Sequence, residues 1–135
     1  MATLEGTPVT INKPAREVYD FLGDFRNFGT LMPEQVEWEA TSEECSFTIK
    51  GMGTFGMKYK QKIPNTLIEV ERNGKAPVDF ILRCKITGEE KSEVKFEFDA
   101  ELNPVMKMLA ERPLTNFVNL LATKLQEFLD PDKRV

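Results

Sequence analysis

The sequence predicts an α+β protein in which a curved antiparallel sheet grips a long C-terminal helix, with two short helices after the first strand. Three observations lead there. Between Val36 and Ala100 apolar residues recur with period two, broken by turn residues. Each strand has one apolar and one charged face, the pattern of a sheet covered on a single side. After Asn103 the period becomes helical, over a segment long enough to provide the cover.

A first strand ends in Val9-Thr10-Ile11, and Pro8, which cannot donate to a ladder, suits only a strand start, an edge or a bulge. Asn12 is a candidate cap, and Pro14 sits just inside a helix that runs through Leu22 on Val18, Phe21 and Leu22. Asp24 caps a second short turn holding Phe25, Phe28, Leu31 and Met32, which Pro33 closes. Six strands follow: Val36 to Ala40, Cys45 to Ile49, Thr54 to Ile63, Leu67 to Asn73, Val78 to Thr87 and Ser92 to Ala100. Asn103-Pro104 combines a cap with a first-turn proline and opens the helical segment towards Leu129. Pro113 lies inside that segment, lacks an N–H and crowds the turn before it, so a kink or break is expected near Glu111 and Arg112. Residues 130–135 are expected to fray.

Charges suggest the register of the central hairpin. With a turn centred on Asn65-Thr66, Lys62 faces Glu69 and Lys60 faces Glu71 on the solvent side. The inner side then carries Phe55, Met57, Tyr59, Gln61 and Ile63 against Ile68, Val70 and Arg72, with Tyr59 opposite Arg72. A slip of one residue would mix the lysines with Ile68 and Val70. In the last two strands Val78, Phe80, Leu82, Cys84 and Ile86 share one inner parity, and Val94, Phe96, Phe98 and Ala100 the other.

The length of 135 residues fits one domain, 1–135, and 41% hydrophobic with 30% charged residues fits a soluble globular chain. Eighteen basic against 22 acidic residues give a net charge of −4, which works against a nucleic-acid partner. The absence of histidine removes His-based triads, His metal ligands and the usual near-neutral proton shuttle. Cys45 and Cys84 have no C-x-x-C spacing and do not make a disulfide scaffold, so a reducing compartment is expected. No signal-peptide pattern and no apolar run of ~18 residues are present, so the expectation is a cytoplasmic protein without stable membrane insertion.

Gly51-Met52-Gly53-Thr54-Phe55-Gly56 spells a dinucleotide-type glycine motif, but a strand pattern follows where a helix is required, so it reads as a glycine-rich hairpin. The carboxylate pairs Glu37/Glu39, Glu69/Glu71 and Glu97/Asp99 fall on faces assigned to water, where acid–base work finds no desolvated partner. Cys45 and Cys84 have inward parity and nothing nearby to lower a thiol pKa.

The opening from Val9 to Asp24, Leu31-Met32-Pro33, the Leu102 to Met108 segment and Pro113-Leu114-Thr115-Asn116-Phe117 resemble the START-like superfamily, which includes the Bet v 1-like proteins and polyketide cyclases. The likeness is greatest to its small bacterial members and covers nearly the whole chain. It implies a helix-grip fold with an internal cavity between sheet and C-terminal helix that takes a lipid-like or other apolar molecule. It supplies no shared catalytic motif.

Tyr59, Gln61 and Arg72 stand out as the polar members of an otherwise apolar inner face, and a buried polar group needs a partner. Read as a pocket, they orient the polar head of a ligand whose body rests on Phe47, Met57, Phe80, Phe96 and Met108, with Arg72 free to pair with a carboxylate. Read as structure, Tyr59 and Arg72 lie near the open end of the sheet, with the guanidinium in water. The expected function is therefore binding or transport of a small, mainly apolar molecule, with no cofactor implied. A cyclase- or hydrolase-type enzyme without a metal, and a partner-binding protein with a filled cavity, are the alternatives. The sequence sets no oligomeric state.

Overall fold

The computed structural model describes residues 2–32, 36–51, 53–74, 76 and 78–130. Eight antiparallel strands form one sheet: β1 (Ala2–Glu5), β2 (Val9–Ile11), β3 (Glu37–Ala40), β4 (Glu44–Ile49), β5 (Gly53–Ile63), β6 (Leu67–Arg72), β7 (Phe80–Thr87) and β8 (Ser92–Ala100). Their order is β1-β8-β7-β6-β5-β4-β3, and β2 also pairs with β8. Three helices complete the described residues: α1 (Ala15–Leu22), α2 (Phe25–Gly29) and α3 (Pro104–Leu129). This is the α+β helix grip that the periodicity predicts.

The N-terminal edge is made of two strands where the sequence suggests one. β1 pairs with the far half of β8, Ala2 opposite Ala100, and β2 with its near half, Ile11 opposite Ser92. Pro8 falls in the break between them, where no ladder donor is required. Asn12 does not cap α1; Pro14 occupies that position without a side-chain bond, and the Asn12 N–H donates to the Asp130 carboxylate at 2.8 Å. Asp24 caps α2 as expected, accepting from the Arg26 N–H at 2.9 Å, and the Asn103 carboxamide accepts from the Met106 N–H at 2.8 Å to cap α3. Pro33, Met52 and residues 131–135 lie outside the described residues.

The central hairpin departs from the expected register. Ile63 pairs with Leu67, and the Thr66 N–H bonds the Ile63 carbonyl at 3.1 Å around Pro64 and Asn65, the latter at φ 64°. Proline followed by a residue of positive φ is the composition of a type II turn. A bulge between Tyr59 and Gln61 then leaves Lys60 unpaired. Tyr59 consequently faces Val70, and Met57 faces Arg72. Gln61 faces Glu69 on the convex side, while Lys62 takes the inner parity opposite Ile68.

The concave face is filled. α1 packs on β6 and β7, α2 on β3 and β4, and α3 across β1, β2 and β8. Leu114, Phe117, Val118, Leu121 and Leu125 of α3 are all buried. The Gly29 backbone carries the Trp38 indole so closely that a Cβ there would meet the ring at 2.3 Å. On the convex face Glu97 and Asp99 are 5% and 8% exposed, contrary to the solvent face assigned to them. Asp99 accepts from Thr3 at 2.6 Å and from Arg83, which also reaches Glu69 at 2.7 Å. Glu97 accepts from Lys85 at 3.0 Å. Bonded to cations and flanked by β1, these carboxylates bury one another's approach to water.

Candidate ligand-binding site

At one end of the grip β4, β6 and β8 finish, β5 and β7 begin, and α3 starts at Pro104, shortly after Ala100. A cluster of phenylalanines gathers there. Phe47 of β4 stacks on Phe55 of β5 at 5.2 Å and on Phe117 of α3 at 5.0 Å, and Phe80 of β7 stacks on Phe98 of β8 at 5.1 Å. Phe55 meets Phe80 edge-on at 5.6 Å, which joins the two stacks. A second cluster, Phe25, Phe28, Tyr59 and Phe96, fills the side nearer α1 and α2.

The site residues expected from sequence divide between these surroundings. Phe47, Met57, Phe80 and Phe96 all face inward, and none is more than 3% exposed. Tyr59 and Arg72 are not brought together. The Tyr59 hydroxyl donates to the Leu22 carbonyl at 2.6 Å, and its ring stacks on Phe25 at 4.0 Å. Burial pushes this phenol well above its ordinary pKa, so it stays protonated and donating. Arg72, half exposed at the end of β6, pairs with Asp79 at 3.1 Å. Gln61 is exposed on the convex side, a consequence of the bulge at Lys60.

Met108 stands 82% exposed on α3. With Val105 and Leu109 it lies at i, i+3 and i+4 spacing on a face turned away from Ala110, Leu114 and Phe117. α3 runs through Pro113 as one continuous helix, so of the expected kink or break the break does not occur. Phe55, Phe98 and Phe117 belong to the aromatic cluster but were not among the expected site residues. Inward parity marks the first two, while Phe117 shares its helical spacing with the rest of the core.

The titratable groups of the inner face do not form an acid–base pair. Cys45 and Cys84 are buried and free, and burial alone pushes the Cys45 thiol up to about 12 and Cys84 also upward. Among the described residues no buried side-chain nitrogen or oxygen lacks a partner. Clefts open to solvent elsewhere among the described residues. One of about 590 Å³ lies between residues 14–16, the Asn65-Thr66 turn and residues 86–89. Another of about 450 Å³ lies beside the β3–β4 hairpin, and a third of about 330 Å³ on α3 between Met108 and Asn116.

The same fold occurs in solved structures. A START superfamily protein from Mycobacterium smegmatis superposes with a TM-score of 0.73 at 14% identity, over 97% of this chain and 99% of that one. The chain has the START/Bet v 1-like fold. Norcoclaurine synthase from Thalictrum flavum, in complex with dopamine and hydroxybenzaldehyde, gives a TM-score of 0.71 at 13% identity, over 99% and 89% of the two chains. XoxI from Bacillus cereus gives 0.73 at 13%, over 99% and 100%. No family model and no curated protein sequence matches the chain. No helix among the described residues is long and apolar enough to cross a membrane.

Proposed function

We propose that this START/Bet v 1-like chain binds a small, mainly apolar molecule between the inner face of the sheet and the first turns of α3. The observation that carries the reading is the cluster of Phe47, Phe55, Phe80, Phe98 and Phe117 at the end of the grip where those first turns bury only Ala110. Aromatic side chains with few polar groups are the common lining of small-molecule sites, and here a ligand has to displace packed rings to enter. Arg72, at the same end, supplies the counter-charge for an acidic group, and Met57 and Phe96 extend the apolar wall. Binding fits this interior better than catalysis, because the inner-face groups Tyr59, Cys45 and Cys84 are pushed towards their neutral forms. The norcoclaurine synthase structure with two small aromatic molecules lends support from a shared fold.

A second reading, contact with a partner protein over a filled interior, is favoured by the outward ridge of Val105, Met108 and Leu109. A fluorescence-displacement titration separates the two. Anilinonaphthalene sulfonate is expected to bind with a blue shift and to be displaced by micromolar fatty acid or isoprenoid alcohol. Arg72→Ala should weaken the fatty acid by about 1 kcal/mol, the upper range for an ion pair at an exposed site, and leave the alcohol unchanged. No uptake of any probe at micromolar concentration would overturn the binding reading in favour of the second.

A further inference from the structure

β3 lies at one edge of the sheet and, among the described residues, pairs with β4 alone. The Thr41 N–H donates to the Glu44 carbonyl at 2.8 Å, and bonded pairs alternate along an antiparallel ladder. Glu37 and Glu39 therefore bond β4, while the N–H and C=O groups of Trp38 and Ala40 point away from it. The edge is held in place, because the Trp38 indole lies on the Gly29 backbone and the Phe25 N–H donates to the Ser42 carbonyl at 3.3 Å. Residues 36–49 carry four carboxylates, Glu37, Glu39, Glu43 and Glu44, and no lysine or arginine. All four are exposed, and none forms an ion pair among the described residues. By contrast Glu5, on the opposite edge strand β1, is met by Lys95 at 2.8 Å. Glu37 and Glu39 share the convex face, in register with Thr48 and Ser46, and Trp38 takes the inner face opposite Phe47. The row from Glu39 continues over Ser46 and Gly56, whose small size leaves room for the cleft of about 450 Å³. A second copy does not suit this edge, since two β3 strands side by side would bring Glu37 and Glu39 onto one another. We infer that the β3 edge takes an extended segment of a partner protein as a further strand, one that alternates basic with apolar residues. Its backbone pairs with Trp38 and Ala40, its cations face Glu37 and Glu39 with a long stem in the cleft, and its apolar residues lie beside Trp38, which is 41% exposed. Occupancy of this edge does not depend on ligand binding in the grip.

Trp38 is the single tryptophan of the chain, so its emission reports on the edge directly. A blocked hexapeptide that alternates lysine and valine should shift that emission on binding to the full chain, and bind more weakly as salt rises. A hexapeptide alternating glutamate and valine should bind about tenfold more weakly or worse, and the double substitution Glu37→Lys, Glu39→Lys should reverse the preference. Both positions are exposed, so the far-ultraviolet circular dichroism of the variant should match that of the wild type. The lysine peptide methylated on its backbone nitrogens keeps its charge and loses its ladder donors, and its affinity should fall about tenfold or more. Equal affinity for the methylated and unmethylated peptides means attraction to charge alone and overturns the added strand. Equal affinity for the lysine and glutamate peptides, or no change in Trp38 emission at millimolar peptide, overturns it as well. So does a wild-type dimer in sedimentation that the double substitution dissociates, because the edge then belongs to a second copy.

Discussion

The hydroxyl of Tyr59, on β5, donates a 2.6 Å hydrogen bond to the carbonyl of Leu22, the last residue of α1. A helix leaves its final carbonyls without intrahelical partners, and this one is met by a strand across the core. The Phe25 ring stacked on Tyr59 holds the phenol in place, and Lys62 lies 4.4 Å from its centroid on the solvent side. Tyr59 thus acts as a strap between sheet and helices.

Tyr59→Phe keeps the stack and removes the bond. It is expected to cost roughly 0.5 to 1.5 kcal/mol, or more if the Leu22 carbonyl is left dry, and to leave probe affinity unaltered. Urea denaturation together with the displacement titration measures both. A loss of probe affinity without a loss of stability would return Tyr59 to the binding site.

Phe80→Ala tests whether the aromatic cluster is packed. At 3% exposure, with Phe98 stacked on it and Phe55 edge-on, the side chain should be worth ~3 to 5 kcal/mol. A cost well below that range would mean that the ring borders space already open, and chemical denaturation distinguishes the outcomes.

Asp99 gives the fold an acid-side dependence. Burial works against its ionised form, but the bonds from Thr3 and Arg83 outweigh it and hold the pKa below the ordinary 3.8. A carboxyl with a depressed folded pKa stabilises fully above its unfolded pKa, and that contribution is lost as pH falls through the folded value. Asp99→Asn should therefore cost about 1.5 to 3 kcal/mol at pH 7 and flatten the fall in stability below about pH 5. Denaturation midpoints from pH 7 to pH 3 check this, and parallel curves for the two proteins would contradict it.

Much of this fold was legible because its signals are local. β8 begins and ends where alternation places it, at Ser92 and Ala100, and the caps at Asp24 and Asn103 act as their side chains allow. The hairpin register was misplaced although Pro64-Asn65 carries a turn signal, because the charge pairing of Lys60 and Lys62 favours a different alignment and a bulge leaves no mark in a polar strand. Gln61 was misplaced with it, since the bulge takes that residue to the convex face. Glu97 and Asp99 were read as solvated because their cations come from β7 and within β8, and the flanking strand β1 is distant in sequence. Pro113 does not break α3, whose second half is fixed by contacts that periodicity does not weigh against a single missing bond.

The binding of a small molecule inside the grip is tested most directly by methyl NMR of the protein labelled at its methionine methyl groups and titrated with a fatty acid. Met57 is buried on the inner face opposite Arg72, Met106 is half-buried in the first turn of α3, and Met108 points into solvent. Uptake into the grip should shift Met57 and Met106 together and saturate at one equivalent. A shift confined to Met108, or no shift at all, would contradict it.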